Sequence, residues 1–511
     1  MKHVVRSLCL LMALLIAVLA AACTETPTQT SSEPEPVSGP ESQPQESSEE
    51  THELFYNLPT DKYYEGETVT FLVVGDYAEA YKSQEVMPQE SSYEVLQKNI
   101  KDRNDLVTEK FGATIDEFRT ASGADMLDKV RNGSLSGVSE FDIIMPYMYD
   151  AATLAMEGYF MDLNTLPNVH LSESYYDQNS VEGFSIRGKN YFVSGDLCLL
   201  DYACTHALVF NKDMIKEHDL ESPYDLVENK QWTLDKMQEM AHGVASDNDG
   251  TPGMSYTDTY GFLVNQNFAT SMFVGCGFRL TEKDANDEPV VALGKESAAT
   301  AFQKIYDLVN DDTSVGRIDD LSGPYYTSAS ANGKICWVAA TESVANKKAL
   351  FRAVAIIDVF DLGEYECNFG LLPTPMYNTN QDKYLCRVST ICSSCVAIPT
   401  TARDPEMSSI ILDAIMQAST ESSKKAYFQT ILKERKIQDN ESEKMLDYIF
   451  SGRVYDLAYL YDWGGSGTLL SGFMNTIAFS DSNTYVSTWD SIKAATEASI
   501  AETVQAYRSI E

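Results

Sequence analysis

"FDIIMPYMYDAATLAMEGYFMDL", residues Phe141 to Leu163, decides how this chain folds. Phe141-Asp142-Ile143-Ile144-Met145-Pro146 is a short apolar run closed by proline, which reads as a buried strand. Leu154, Ala155 and Gly158 then recur at helical spacing before Phe160-Met161-Asp162-Leu163. The same alternation stands upstream. Thr68 to Val74 is a buried-type strand ended by Gly75-Asp76, an amphipathic helix is predicted through Val95, Ile100 and Val107 to Phe111, and Thr114-Ile115 opens the next strand. Successive strand-helix units of this kind imply an α/β sheet. Ligands of such sheets bind beyond the carboxyl ends of the strands, here Gly75-Asp76-Tyr77 and Tyr147 to Asp150.

Further along, Ala207 to Phe210 reads as a strand, and Asn211 or Lys212-Asp213 starts the helix after it. Thr233 is an N-cap, with Met237, Met240, Ala241 and Val244 on one helical face. Lys334-Ile335-Cys336-Trp337-Val338 looks like a strand, which would make Trp337 core and place Thr341 and Glu342 at the strand's end. Asp247-Asn248-Asp249-Gly250 is a turn rather than a calcium loop, because Ala245 stands where the first carboxylate should be.

The first residues carry a different message. Lys2 and Arg6 precede an apolar stretch from Leu8, and Leu19-Ala20-Ala21-Ala22 ends at Cys23. This is the layout of a bacterial lipoprotein signal, too short to span a membrane comfortably, so residues 1–22 would be removed and the Cys23 thiol would carry a diacylglyceryl group, with palmitate as its acyl chain. The alternative is an ordinary cleaved signal with an incidental cysteine. From Thr24 to His52 there is no Lys or Arg and Val37 is the sole large aliphatic residue, so 23–62 is expected to be a disordered acidic spacer rich in Ser, Pro and Glu.

The formal charge of −38 becomes about −40 once Lys2 and Arg6 leave with the signal. That argues against nucleic acid or an anionic lipid surface as a partner. Eight cysteines follow Cys23, mostly in apolar runs where the thiol behaves as a small hydrophobe. Cys392-Ser393-Ser394-Cys395 has redox spacing without the helix start that chemistry needs, and no second pair completes a zinc site. No cofactor or metal is expected. A Gly-x-Ser-x-Gly elbow and a HExxH motif are absent.

The order of segments resembles the extracellular solute-binding proteins of bacterial ABC importers, the family with the maltose-type receptors. The resemblance rests on Phe141 to Leu163, "GKNYFVSGD…ALVFNKDMIKEHDL" (Gly188 to Leu220), "QWTLDKMQEMA" (Gln231 to Ala241) and "YGF" (Tyr260 to Phe262). It continues through "ANGKICWVAATES" (Ala331 to Ser343), "FGLLPTP" (Phe369 to Pro375) and "SSCVAIPTTARDPEMSSIILDAIMQAS" (Ser393 to Ser419) to "KKAYFQTILKERKIQDNESEKMLDYIF" (Lys424 to Phe450).

It implies a two-lobed periplasmic-binding-protein-like fold of type II, each lobe a mixed sheet flanked by helices, with the ligand cleft between lobes. Crossings are expected near Gly195 to Leu200, near Tyr384 to Ser389 and towards Ile437. The lobes would be 63–197 with about 385–436, and 198–384 with about 437–511. It also implies a receptor, not an enzyme. A monomer would sit by its lipid on the outer face of the cytoplasmic membrane, in a Gram-positive-type bacterium, and pass a small carbohydrate to the permease subunits of an ABC importer.

A sugar cleft needs flat rings and hydroxyl-binding carboxylates or amides. The candidates are Asp76, Tyr77, Tyr147, Tyr149, Asp150, Tyr202, Thr205, Glu342, Tyr461, Asp462 and Trp463, with Asp201 and Thr341 beside them. Trp463, set between an acid and Gly464-Gly465, is expected to stack on the ligand. With 29 tyrosines, a Tyr next to an acid is equally well packing or rim. A surface glycoside hydrolase or glycan-binding lipoprotein is the other reading, but hydrolysis needs two carboxyls at a fixed separation that sequence does not display.

Overall fold

Strand β1 (Thr68–Val74) is buried over its last four residues, which is what a central parallel strand covered on both faces requires. The computed structural model describes residues 53–75, 81–90, 93–138, 140–318, 336–430, 440–465 and 472–510. β1 pairs in parallel with β2 (Thr114–Thr120) and with β3 (Ile143–Met145), placing Leu72 opposite both Phe118 and Ile144 in the order β2-β1-β3. Parallel neighbours need a long return. The helix Glu94–Phe111 supplies it, burying Leu96, Ile100, Val107 and Phe111, and stops at Gly112, whose φ of 79° lets its N–H reach Thr108 O.

The second sheet draws on β4 (His206–Asn211), β5 (Tyr260–Val264), β8 (Val315–Arg317), β9 (Ala349–Ala355) and β10 (Phe369–Leu372), in the order β10-β4-β9-β5-β8. A separate hairpin, β6 (Thr281–Lys283) with β7 (Pro289–Val291), lies between them in the chain. β4 runs antiparallel to β9 and β10, whereas β5 is parallel to β8 and β9, so the sheet is mixed. Helix caps fall where the side chains allow. Asn211 Oδ1 accepts from the N–H groups of Asp213 and Met214, and Thr233 Oγ1 accepts from Lys236, with Met237, Met240, Ala241 and Val244 buried on the expected face.

Short extended pieces tie the two sheets together. Val193 bridges Val396, Ile144 bridges Ala397 and Thr205 bridges Val388. β11 (Cys386–Arg387) pairs in parallel with β12 (Arg453–Val454). Gly195 is needed at the first passage, because a Cβ there would lie 2.5 Å from Tyr175 O and 2.9 Å from Met416 Sδ.

One element differs from its sequence pattern. Cys336–Ala345 is a helix, not a strand, so Trp337 is not on a strand and Thr341 and Glu342 lie mid-helix. The Ala-Ala-Thr-Glu-Ser-Val-Ala continuation is rich in good helix formers and outweighs the short β-like start. The expected third crossing at Ile437 lies outside the described residues.

Candidate functional site

A cavity of about 810 Å³ opens where the tie pieces meet the two sheets. The segment after β1 and the start of helix Glu94–Phe111 give it Tyr81, Glu85 and Tyr93. The carboxyl end of β5 gives it Asn265 and Phe268, and the turn after β9 gives it Asp358 and Phe360. Its base is Leu200, Cys204, His206, Arg387 and Ser389. Position beyond the strand ends is what open α/β sheets lead one to expect.

Flat rings and polar groups alternate around this space. Tyr93 stacks on Phe360 with centroids 6.1 Å apart and planes 20° from parallel, and Tyr427 lies 6.0 Å from Phe360. Tyr427 lines the cavity, and among the described residues its buried hydroxyl has no partner. Glu85 is fully buried and satisfied: its carboxylate accepts from Leu200 N–H at 2.9 Å, from Ser83 Oγ at 2.7 Å and from Ser394 Oγ, although burial raises its pKa. His206 lies flat on Phe268, centroids 5.3 Å apart and planes 4° from parallel, with Nδ1 bonded to Ser271 Oγ. Burial, and then the charge of Arg387, hold its imidazole neutral far below the usual range.

None of the described sequence candidates lines this cavity. Tyr147 is buried and its hydroxyl donates to Tyr81 O at 3.3 Å, one layer behind the wall. Tyr202 is core: its hydroxyl donates to Asp196 at 3.0 Å, and the Arg453 guanidinium lies 4.1 Å over its ring. Thr205 is fully buried, its hydroxyl donating to Asp201 O at 2.9 Å. Glu342 is half-buried on helix Cys336–Ala345, where Thr341 accepts from Arg352 at 2.7 Å.

Tyr149 and Asp150 open the helix Met148–Met156, which packs on helix Leu457–Tyr461 and so comes near Asp462. Burial lifts Asp150 to about 6, with Arg131 opposing. Tyr461 shares a hydrogen bond with Tyr507 at 2.6 Å and stacks on Trp463 at 5.6 Å. Trp463 is 1% exposed and donates to Thr503 Oγ1 at 2.8 Å. The ring is therefore packed into the core here, away from the cavity. Cys23, Asp76 and Tyr77 lie outside the described residues.

Two of the residues missed stand in or beside segments the sequence singles out as crossing or site, while Tyr93, Asn265, Asp358, Phe360 and Tyr427 lie in segments that carried no such signal. His206 follows Thr205, and Arg387 lies inside the expected crossing Tyr384 to Ser389; a period of two separates the face that packs from the face that lines. Elsewhere, Asp249 is held near 2 by the Thr257 and Ser255 hydroxyls and the Thr251 N–H in a self-bonded turn. The thiols of Cys392 and Cys395 are free and pushed up by burial, which opposes redox use.

The family described as bacterial extracellular solute-binding protein matches residues 107–433. The chain belongs to that family, which makes it a binding protein and not an enzyme. Solved structures agree on the fold. UgpB of Mycobacterium tuberculosis, in complex with glycerophosphocholine, is 13% identical with a TM-score of 0.54, over 86% of this chain and 99% of that one. UspC of the same organism is 13% identical with a TM-score of 0.52, over 84% and 100%. A cyclo/maltodextrin-binding protein with maltotetraose is 10% identical with a TM-score of 0.51, over 86% and 98%. At these identities they show the two-lobed solute-binding fold alone. No curated protein matches the chain. Among the described residues no helix is long and apolar enough to cross a membrane.

Proposed function

We propose that the protein captures a sugar or oligosaccharide in the cavity at the crossings and hands it to the permease of an ABC importer. The observation that carries this reading is the family match across 107–433, which includes the cavity residues from Leu199 to Tyr427, while Tyr81, Glu85 and Tyr93 precede it and Asn475 follows it. The solved relatives with TM-scores above 0.5 hold maltotetraose in one case and glycerophosphocholine in another, so the fold accommodates polyhydroxylated solutes. Rings such as Tyr93, Phe360 and Tyr427 suit the C–H faces of a pyranose, and Asn265 and Asp358 suit its hydroxyls.

The same reading takes the lobes as 63–197 with about 385–436 and 198–384 with about 437–511, closing by a hinge when solute binds. It keeps Asp76, Tyr77, Tyr149 and Asp150 as further candidate contacts, through the family's ligand loops. A monomer anchored by lipid on Cys23 at the outer membrane face belongs to it as well; a Cys23→Ser variant that stays in the membrane fraction and still takes up lipid label would contradict that part.

A thermal-shift screen of the soluble chain against neutral and substituted sugars tests the function. A solute that binds the folded state alone raises the melting temperature with its concentration. Turnover of that solute at enzyme-like rates would contradict the receptor reading.

A further inference from the structure

One charge in the cavity is left unanswered by the fold. Arg387 is 5% exposed and lines the cavity, with its Cζ 4.3 Å from the centre of the Tyr459 ring. Among the described residues its guanidinium makes no hydrogen bond or ion pair, and its buried Nε has no partner. A buried guanidinium in that state is costly unless something else meets it. The carboxylates nearby are already committed. Asp456 accepts from Leu280 N–H at 2.7 Å, Thr281 Oγ1 at 2.6 Å and Ala458 N–H at 3.0 Å, and Glu85 is filled by Ser83, Leu200 and Ser394.

Geometry adds a second donor. The antiparallel bridge between Thr205 and Val388 sets His206 opposite Arg387, and directly opposed residues present their side chains on one face. Both line the cavity. Nδ1 is tied to Ser271 Oγ, and Nε2 has no partner among the described residues; in the tautomer in which the Ser271 hydroxyl donates to Nδ1, Nε2 carries the proton and is a donor.

We propose that the solute carries an anionic group, a carboxylate or a phosphate ester, seated at the base of the cavity on the Arg387 guanidinium and His206 Nε2. This deepens the receptor reading and rests on it. The guanidinium fork fits either oxyanion in a bidentate way. Asp358, which also lines the cavity and follows β9, repels an anion and accepts from hydroxyls instead, which orients an anionic sugar. The net charge of −38 works against attraction at a distance, so the affinity must come from this desolvated contact.

The test compares glucose, glucuronate, glucose 6-phosphate and inorganic phosphate as stabilisers of the soluble chain and of Arg387→Gln, at constant ionic strength in chloride. At least one anion should raise the wild-type melting temperature more than glucose does. R387Q should weaken that anion roughly 10- to 100-fold, as loss of a charged hydrogen bond does, while melting no lower than wild type without solute. The carboxylate and phosphate arms tell the two sources apart. If glucose binds wild type and R387Q alike and no anion does better, the inference falls and the receptor reading stands. If no probe binds wild type, both lose their support. If solute-free R387Q melts many degrees below wild type, the guanidinium is structural and the inference falls.

Discussion

Two buried arginines sit on neighbouring strands at the crossings and live opposite lives. Arg453 of β12 is clamped by Asp177 at 2.8 Å and Asp201 at 3.2 Å, with Tyr455 donating to both carboxylates at 2.6 Å. Among the described residues, Arg387 of β11 has the Tyr459 ring and no ion pair. Among the described residues Nε is unpartnered in both, so the contrast lies in the ion pairs. Burial pulls both pKa values down; in Arg453 the carboxylates more than reverse it, whereas Arg387 stays lowered. The difference separates a charge spent on holding the crossing strands together from one kept for a solute. A buried pair is strongly destabilising to break, while an unpaired buried charge is one the fold gains nothing by keeping.

The largest effect is expected at the clamped residue. Arg453→Met leaves Asp177 and Asp201 buried without their countercharge and should cost about 3–5 kcal/mol, read as a large drop in denaturant midpoint of the solute-free chain. A small drop would break the comparison. Trp463→Phe should cost about 1–3 kcal/mol, because it removes the donor to Thr503 and leaves a void, and solute affinity should be unchanged in calorimetric titration.

Asp150 is the acidic counterpart of Arg387: its carboxylate makes no hydrogen bond among the described residues, and burial lifts its pKa from 3.8 to about 6. Its folded pKa lies above the unfolded one, so its stabilising contribution is present below about pH 4 and is lost as pH rises through 6. Melts of wild type and Asp150→Asn between pH 4 and 7 should therefore show the variant gaining on wild type as pH rises. A constant difference would mean the carboxylate is solvated. The smallest change is expected for Arg387→Met without solute, within about 1 kcal/mol of wild type or more stable, measured beside Arg453→Met.

Why the local elements were legible and the chemistry of the tie pieces was not follows from the same strands. Apolar runs and caps made β1, the helix Glu94–Phe111 and the starts at Asn211 and Thr233 readable, because those depend on local pattern. Segment order carried the two-lobed fold. Which side of a two- or three-residue extended piece faces the cavity depends on pairing between residues nearly two hundred apart, such as Thr205 with Val388, and a shift of one residue exchanges the faces. Thr205 and His206 therefore differ in face although they are adjacent in sequence. The burial of Trp463 has a related cause: an acid and glycines around it read as a loop, but Thr503 and Tyr507, some forty residues on, bond to Trp463 and to the Tyr461 that stacks on it.

The claim on which the account rests is that solute binds in the cavity at the crossings. Ile391 lines that cavity and is 40% exposed, so a larger side chain there fills the space without disturbing the core. Titration calorimetry of Ile391→Trp with the best stabilising solute is the direct measurement. The account predicts at least a tenfold loss of affinity, about 1.4 kcal/mol, in a protein that melts like wild type; unchanged affinity in that protein would place the solute elsewhere.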